Sequence, residues 1–257
     1  MLQMKPTEHL TGITIQGDYN DFCELVESIY RITGLTEEQT DLYYGVKNRL
    51  LGMCYDIRHA FMGDRDIVLK DNGMRDDIMK WHDMITPTQN VYYCVNVLFP
   101  EAVFVAASVP QMYIFSHTYY GTHGKRTDMD YDLPPIPYSD YIRDKANLDV
   151  LCAGVWQALG EVIGDEELEK ILRLMQRTDE SFMYYATHYI DKCNIELLKT
   201  EVEKRKDKLR NIAKRIIKKP QAYMNMESDL RYWAKEYKTT IYELDDPRIE
   251  YPDNFEW

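Results

Sequence analysis

Hydrophobic and polar residues alternate along residues 11–16, and β-branched side chains are frequent there, so this segment is predicted to be a strand. Residues 67–70, which precede an Asp-Asn-Gly turn, and residues 90–99 are two further predicted strands. Helical periodicity and cap residues predict helices over 21–32, from Thr36 or Thr40 to Met62, and over 75–82, 100–117, 139–163, 165–177, 179–219 with a break near Asn194, and 227–237.

This order of elements predicts an α+β fold that is predominantly helical, with a small N-terminal sheet covered by helices and a helical C-terminal half. Residues 119–138 show no periodicity and contain three prolines, which predicts a long loop. The loop separates an α+β region, residues 1–118, from a helical region, residues 139–257. The two regions either are separate or form one continuous domain. The tail from Thr239 is acidic and aromatic, and residues 240–244 are a further predicted strand.

The predicted helix over residues 43–63 has two unlike faces. One face is apolar at helical spacing and is predicted to be core. The opposite face, which we call the polar stripe, carries Gly45, Arg49, Gly52, Asp56 and His59. Each glycine costs about 1 kcal/mol of helix stability relative to alanine, and it lets another backbone or a ligand come close.

Two interpretations of the polar stripe remain open. In the first, it is a close crossing between helices with a structural Arg–Asp network. In the second, it is a ligand site in which Arg49 and Arg58 bind an anion beside Gly45 and Gly52, while His59 and Asp56 act as an acid–base pair. Arg58 lies within the apolar face, and it therefore needs an acidic partner, for which Asp64 and Asp66 are nearest in sequence.

Residues 194–219 form a basic segment, with ten Lys or Arg against four Asp or Glu, a local charge of +6. These cations either solvate the outer face of a packed helix or bind nucleic acid or an acidic partner through residues 199–219. For the second case Lys206, Arg210 and Lys214 are the predicted contacts. An apolar seam over residues 195–216 fits an intramolecular hairpin or a homo-oligomer.

The chain has 21 tyrosines, several of them in or near the predicted long loop. Tyrosine offers a large contact area at low entropic cost and suits interfaces. Tyr120 and Tyr131 are therefore predicted to contact a partner.

Composition narrows the classes of protein. A net charge of −12 disfavours binding of nucleic acid or an anionic membrane by the whole surface. Five dispersed cysteines without a C-x-x-C pair, no signal peptide and no uninterrupted apolar span predict a cytoplasmic protein that does not insert in a membrane. No phosphate-loop, dinucleotide or metalloprotease motif occurs, so no cofactor and no metal are expected.

Three segments carry a resemblance: L-T-G-I-T-I-Q-G-D-Y at 10–19, C-Y-D-I-R-H-A-F-M-G-D-R-D-I at 54–67, and V-Y-Y-C-V-N-V-L-F-P-E at 91–101. They resemble an uncharacterised bacterial family over roughly the first 115 residues. The resemblance implies a bacterial or phage cytoplasmic origin and no assigned activity or catalytic residue.

These observations leave the function unknown and favour a bacterial cytoplasmic binding or regulatory module that engages a macromolecular partner. The first alternative is an enzyme or binding protein for a nucleotide-like or phosphorylated ligand at Arg49, Asp56, Arg58 and His59. The second alternative is nucleic-acid binding through the basic residues 199–219.

Overall fold

The computed structural model describes residues 2–34, 42–121, 136–178 and 181–257. Its strands are β1 (Gln3–Pro6), β2 (Gly12–Gly17), β3 (Ile67–Asp71) and β4 (Gln89–Leu98). They form one antiparallel sheet in the order β1-β2-β4-β3. At its centre Ile13 lies opposite Val97 and Ile15 opposite Val95, and all four side chains are buried. The three strands predicted for the N-terminal half are confirmed.

The helices of the described residues account for most of the chain. They are α1 (Tyr19–Thr33), α2 (Tyr44–His59), α3 (Asp76–Trp81), α4 (Phe99–Ser116), α5 (Tyr138–Ile163), α6 (Asp165–Arg177), α7 (His188–Leu198), α8 (Val202–Lys218) and α9 (Gln221–Tyr237). The predicted fold class, α+β with a predominance of helix, is confirmed. The predicted start of α2 near Thr36 and most of the predicted loop lie outside the described residues.

Local sequence accounts for the ends of α1. The side chain of Asp18 accepts a hydrogen bond from the Asp21 backbone N–H, and the side chain of Asp21 accepts one from the Asp18 backbone N–H, which makes a capping box. Gly34 ends the helix in the left-handed conformation, with φ of 73°. Both signals are readable in the sequence because they are contained within a few residues.

Two predicted elements differ in the structure. The helix predicted over 179–219 begins only at His188, and its break falls at residues 199–201 rather than at Asn194. The buried Arg205 guanidinium explains that break, because it donates to the Thr200 and Leu198 carbonyls left unpaired after α7. The strand predicted over 240–244 is wrong, since Ile241–Glu243 is a single 3-10 turn beside α9.

The strand β1 was not predicted. Its four residues pair with β2, and Met4 packs into the space left by Gly154 on α5. One apolar side chain in a short segment gives no alternating pattern to read.

The hydrophobic core extends through both halves of the chain. Helix α4 is buried along most of its length and packs against α2, α5, α7 and α8. Helix α5 also packs against α1 and β1, so residues before and after the predicted loop share one core. Across the described ranges, no helix combines the length and the apolar character needed to cross a membrane.

Candidate functional site

The polar stripe of α2 is divided in the structure. Gly45 lies against the segment before α7, where a Cβ atom would sit 3.0 Å from the Tyr185 carbonyl oxygen and 2.9 Å from Cγ2 of Thr187. Gly52 faces open space, with no described atom within 4 Å of the position a Cβ would take. The close approach expected at two glycines therefore occurs at Gly45 alone.

Arg49 joins three helices. Its Nη1 donates to Glu101 at 3.0 Å and to Asp191 Oδ1 at 2.9 Å, and its Nη2 donates to Asp191 Oδ2 at 2.5 Å and to the Thr187 carbonyl at 3.1 Å. The guanidinium thereby connects α2 with the first turn of α4 and with α7. Its two terminal nitrogens are engaged by the chain itself, which leaves little for a ligand phosphate.

Burial governs the electrostatics of this network. It raises the pKa of Glu101, and the neighbouring Asp191 charge adds to that effect while Arg49 opposes it. Tyr251 completes the network, because its hydroxyl donates to Asp191 at 2.9 Å and accepts from Asn194 at 3.0 Å. Arg49 is thus one cation shared between two carboxylates, Glu101 and Asp191.

The other end of the stripe has a different set of partners. Asp56 pairs with Arg65 at 2.8 Å, and the His59 Nδ1 atom lies 2.9 Å from Asp64. Each therefore has its own partner, and the structure shows no hydrogen bond between the two. Arg58 contacts neither expected acid: it donates to the Tyr30 hydroxyl at 3.2 Å and lies over the ring of Tyr55.

Four cations of the basic helix α8 form ion pairs with carboxylates elsewhere in the chain. Lys208 and Arg215 both bind Glu196, at 2.9 and 2.5 Å. Lys214 lies 3.0 Å from Glu167, and Arg210 lies 3.9 Å from the same carboxylate. Hydrogen bonds from Lys170 and Lys214 lower the pKa of Glu167 to about 2.

Two further features of α8 concern the predicted nucleic-acid contact Lys206 and the apolar seam predicted for a hairpin or a homo-oligomer. Lys206 is exposed and forms no ion pair with any residue that the structure describes. The seam residues Leu209, Ile212 and Ile216 are covered by the chain's own core. A homo-oligomer would therefore have to use other side chains.

The two tyrosines predicted to contact a partner have different outcomes. Tyr120 is buried, and its hydroxyl donates to Asp144 at 2.9 Å, beside the salt bridge between Asp144 and Arg31. Burial raises the pKa of Tyr120, with the Asp144 charge adding to it. Tyr131 lies outside the described residues.

A further concave surface lies at residues for which the sequence predicts no site. A cavity of about 390 Å³ lies between α9 and the segment 244–248, and we call it the C-terminal groove. It is lined by Asp229, Leu230, Trp233, Tyr237, Leu244, Asp245, Asp246, Pro247 and Arg248. A second cavity of about 540 Å³ adjoins it, shares Leu244 to Pro247, and reaches Arg49, His188 and Asp191.

One wall of the C-terminal groove is aromatic. Trp233 and Tyr237 are four residues apart on α9, so they lie on the same face. Their rings stack with centroids 5.7 Å apart and an interplanar angle of 20°. Both stay accessible, with 49% and 68% of their surface exposed. The wall thus presents apolar ring faces to whatever enters the groove.

The other wall is acidic. Asp246 is buried and accepts hydrogen bonds from Arg248, which lower its pKa. Arg248 also lies 3.7 Å from Asp229, which is on α9 with the aromatic pair, and Asp245 is exposed without an ion pair among the described residues. Three carboxylates against one guanidinium give the groove lining two excess negative charges.

The chain's own core fixes the position of the acidic wall. His188, in the first turn of α7, lies with Nε2 2.7 Å from the Leu244 carbonyl. The Tyr242 hydroxyl donates to the Tyr185 carbonyl at 3.4 Å, close to Gly45. The other ring nitrogen of His188 is buried and has no hydrogen-bond partner in the described structure.

A partial signal for this groove was present in the sequence. Trp233 and Tyr237 lie at helical spacing in a predicted helix, and the tail after Thr239 is acidic and aromatic. Nothing local indicates that the tail folds back onto α9. The described residues contain no group of three His, Cys, Asp or Glu side chains placed to hold a metal ion.

A helical α+β fold around a small antiparallel sheet, with an aromatic and acidic surface groove, is thus the structural class of this chain. The chain belongs to the family described as Domain of unknown function (DUF6904), which it matches over residues 2–257. No curated protein and no solved structure matches it.

Proposed function

We propose that this protein is a binding module that receives a lysine- or arginine-bearing segment of a partner protein in the C-terminal groove. This proposal rests on the stacked and accessible rings of Trp233 and Tyr237. In the same groove, carboxylates outnumber the cations. An aromatic face attracts a cation through its quadrupole, and a nearby carboxylate adds charge attraction.

The size of these effects favours a polypeptide over a free amine. A cation–π contact at an exposed site contributes about 0.5–1 kcal/mol, and an exposed ion pair contributes about 0.2–1 kcal/mol. One cationic side chain therefore gains roughly tenfold in affinity, too little for selective binding. The adjoining 540 Å³ cavity lies along the same segment and supplies room for further residues of an extended partner.

The two alternatives have weaker support. The predicted anion site needs Arg49 and Arg58 together, whereas Arg49 is engaged by Glu101 and Asp191 and only Arg58 lacks an acidic partner among the described residues. Nucleic acid would need a row of available cations on α8, but of the three predicted contacts only Lys206 is exposed without an ion pair to a described residue, while Arg210 and Lys214 lie against Glu167. The overall charge of −12 also favours a basic partner.

We place the interaction in the reducing cytoplasm of a bacterium. All five cysteines are free, and four of them are buried. Burial raises the pKa of Cys152 and of Cys193 to about 12, so these thiols stay protonated and act as small core residues.

Site-specific photo-crosslinking tests this function. The photoreactive residue p-benzoylphenylalanine replaces Tyr237 in the groove or, as the control, Tyr55 on α2, which lines none of the cavities described above. Cells that express the protein are irradiated, and crosslinked peptides are sequenced by mass spectrometry. We expect crosslinks from position 237 to a defined partner segment that contains lysine or arginine.

Two further variants make the result specific. Asp245→Lys should remove the crosslink at position 237, because it reverses the charge of the acidic wall. Asp253→Lys, an equal charge change at an exposed aspartate outside the groove, should leave the crosslink intact. A crosslinked segment without basic residues, or equal yields from positions 237 and 55, would contradict the proposed function.

A further inference from the structure

The outer edge of β3 has no paired strand among the residues that the structure describes. It is the terminal strand of the sheet, and among the described residues it pairs with β4 alone. An unpaired edge exposes a row of backbone N–H and C=O groups, which readily accept another strand.

Apolar side chains accompany this free edge. Ile67 and Leu69 each expose 55% of their surface, and Met62 and Val91 nearby are also exposed. None of the residues of α3, in the connection from β3 to β4, is buried, and Trp81 and Ile85 stand almost fully in solvent. Several exposed large apolar side chains along one strand and the connection that follows it indicate an interaction site on a globular protein.

The hydrogen-bond pattern shows which residues face outward. Asp66 accepts from the Cys94 backbone, and Asn72 donates to the Thr88 carbonyl, so even-numbered residues bond to β4. Antiparallel ladders alternate, and the backbone groups of Ile67, Leu69 and Asp71 therefore point to the free edge.

The sequence of this edge is complementary to itself. Residues 65–71 read Arg-Asp-Ile-Val-Leu-Lys-Asp. If a second copy pairs antiparallel with Val68 opposite Val68, Ile67 faces Leu69, Asp66 faces Lys70 and Arg65 faces Asp71. Every pair is then apolar with apolar or acid with base, and the two outward-facing residues Ile67 and Leu69 fall on hydrogen-bonded positions.

We propose that two copies of this chain associate through β3, antiparallel and about a two-fold axis at Val68. The two four-stranded sheets become one eight-stranded sheet, in which Ile67 of each copy lies beside Leu69 of the other on the same face and the two side chains partly shield each other. The same patch serves both copies, as an isologous interface requires. The charge complementarity of residues 65–71 with themselves selects a second copy over an unrelated strand.

The charged residues of this edge have contacts within the chain that the pairing partly exchanges. Lys70 donates to Gln3 of β1 and lies over the ring of Tyr92 on β4, so its flexible side chain must turn toward the free edge to reach Asp66 of a second copy. Asp66 is exposed and forms no ion pair within the described residues. Arg65 binds Asp56 and is 41% exposed, so it remains open to Asp71 of a second copy.

Sedimentation equilibrium of the full chain and a pair of charge variants test this interface. The unmodified protein should show a reversible monomer–dimer equilibrium. Asp66→Lys and Lys70→Glu should each weaken dimerisation about tenfold or more, because two symmetry-related cross-strand pairs change from attraction to repulsion. An equimolar mixture of the two variants should form a heterodimer, since Lys at 66 then faces Glu at 70 and Asp66 faces Lys70.

A backbone variant tests the strand pairing itself. Leu69→Pro removes an N–H that points to the free edge and leaves the β3–β4 ladder intact, so it should abolish the dimer. Circular dichroism and thermal unfolding should show an unchanged fold for all these variants. A monomer at every concentration, a dimer indifferent to Leu69→Pro, or charge variants that fail to recover as a mixture would each overturn the proposal.

Discussion

Alanine in place of the two glycines on the polar stripe should have opposite effects on stability. Gly52 lies inside α2, and no described atom is within 4 Å of its Cβ position. Alanine there removes the backbone-entropy cost of glycine and should stabilise the fold by about 0.8–1 kcal/mol. For a chain of 257 residues, that corresponds to a rise in Tm of about 2–4 °C.

Gly45 has the same chemistry and a different environment. A Cβ there would meet the Tyr185 carbonyl oxygen at 3.0 Å, Thr187 at 2.9 Å and the Tyr242 ring at 3.0 Å. The carbonyl belongs to the backbone and moves only with its segment. Overpacking costs about 1–3 kcal/mol and exceeds the small propensity gain in a first turn, so Gly45→Ala should lose about 1–2 kcal/mol.

Urea denaturation followed by circular dichroism measures both changes in the free energy of unfolding. An unchanged slope of that free energy against urea concentration shows that the denatured state is unaffected. The variants are matched, because each adds one methyl group to the same helix face. A Gly45→Ala variant as stable as the unmodified protein, or a destabilised Gly52→Ala variant, would contradict the predicted opposite effects.

Two further sites give predictions that the same denaturation experiment checks. Burial raises the pKa of Glu101, so ionising this side chain opposes folding. Glu101→Gln should therefore keep or increase the free energy of unfolding, and its advantage over the unmodified protein should grow as pH rises above 4.5, the ordinary pKa of glutamate. Asp191→Asn should instead lower the free energy of unfolding by about 1–3 kcal/mol, because Arg49 loses its bidentate partner. If Asp191→Asn were more stable than Glu101→Gln, these different roles of the two carboxylates would be refuted. Asp144→Asn should lose about 2–4 kcal/mol, since the fully buried carboxylate binds Arg31, and a neutral result would show that this pair is dispensable.

Elements with local signals were predictable from the sequence. The caps at Asp18 and Gly34 fix both ends of α1 and involve neighbouring residues only. The alternating strand β2 and the aromatic strand β4 were readable for the same reason. The strand β1 was missed because its evidence lies elsewhere in the chain, in β2 and in the small residue Gly154.

The candidate site depends on contacts between distant residues. Periodicity identified Arg49 on a polar face but not its partners, since Asp191 is 142 positions away and Glu101 is 52 positions away. The segment that lines the groove contacts His188 through the Leu244 carbonyl, 56 positions along the chain. Sequence patterns show which faces are polar, and only the fold shows which of them meet.

The nuclear magnetic resonance signals of the tryptophan indole N–H groups test the central claim most directly. The chain has four tryptophans, so Trp233→Phe assigns the signal of the groove by its loss. The probes are a short peptide of alternating lysine and arginine and a glutamate peptide of the same length. The account predicts a salt-sensitive shift of the Trp233 signal with the basic peptide, abolished by Asp245→Lys. Equal shifts with the glutamate peptide, or shifts of other tryptophans with Trp233 unmoved, would contradict it.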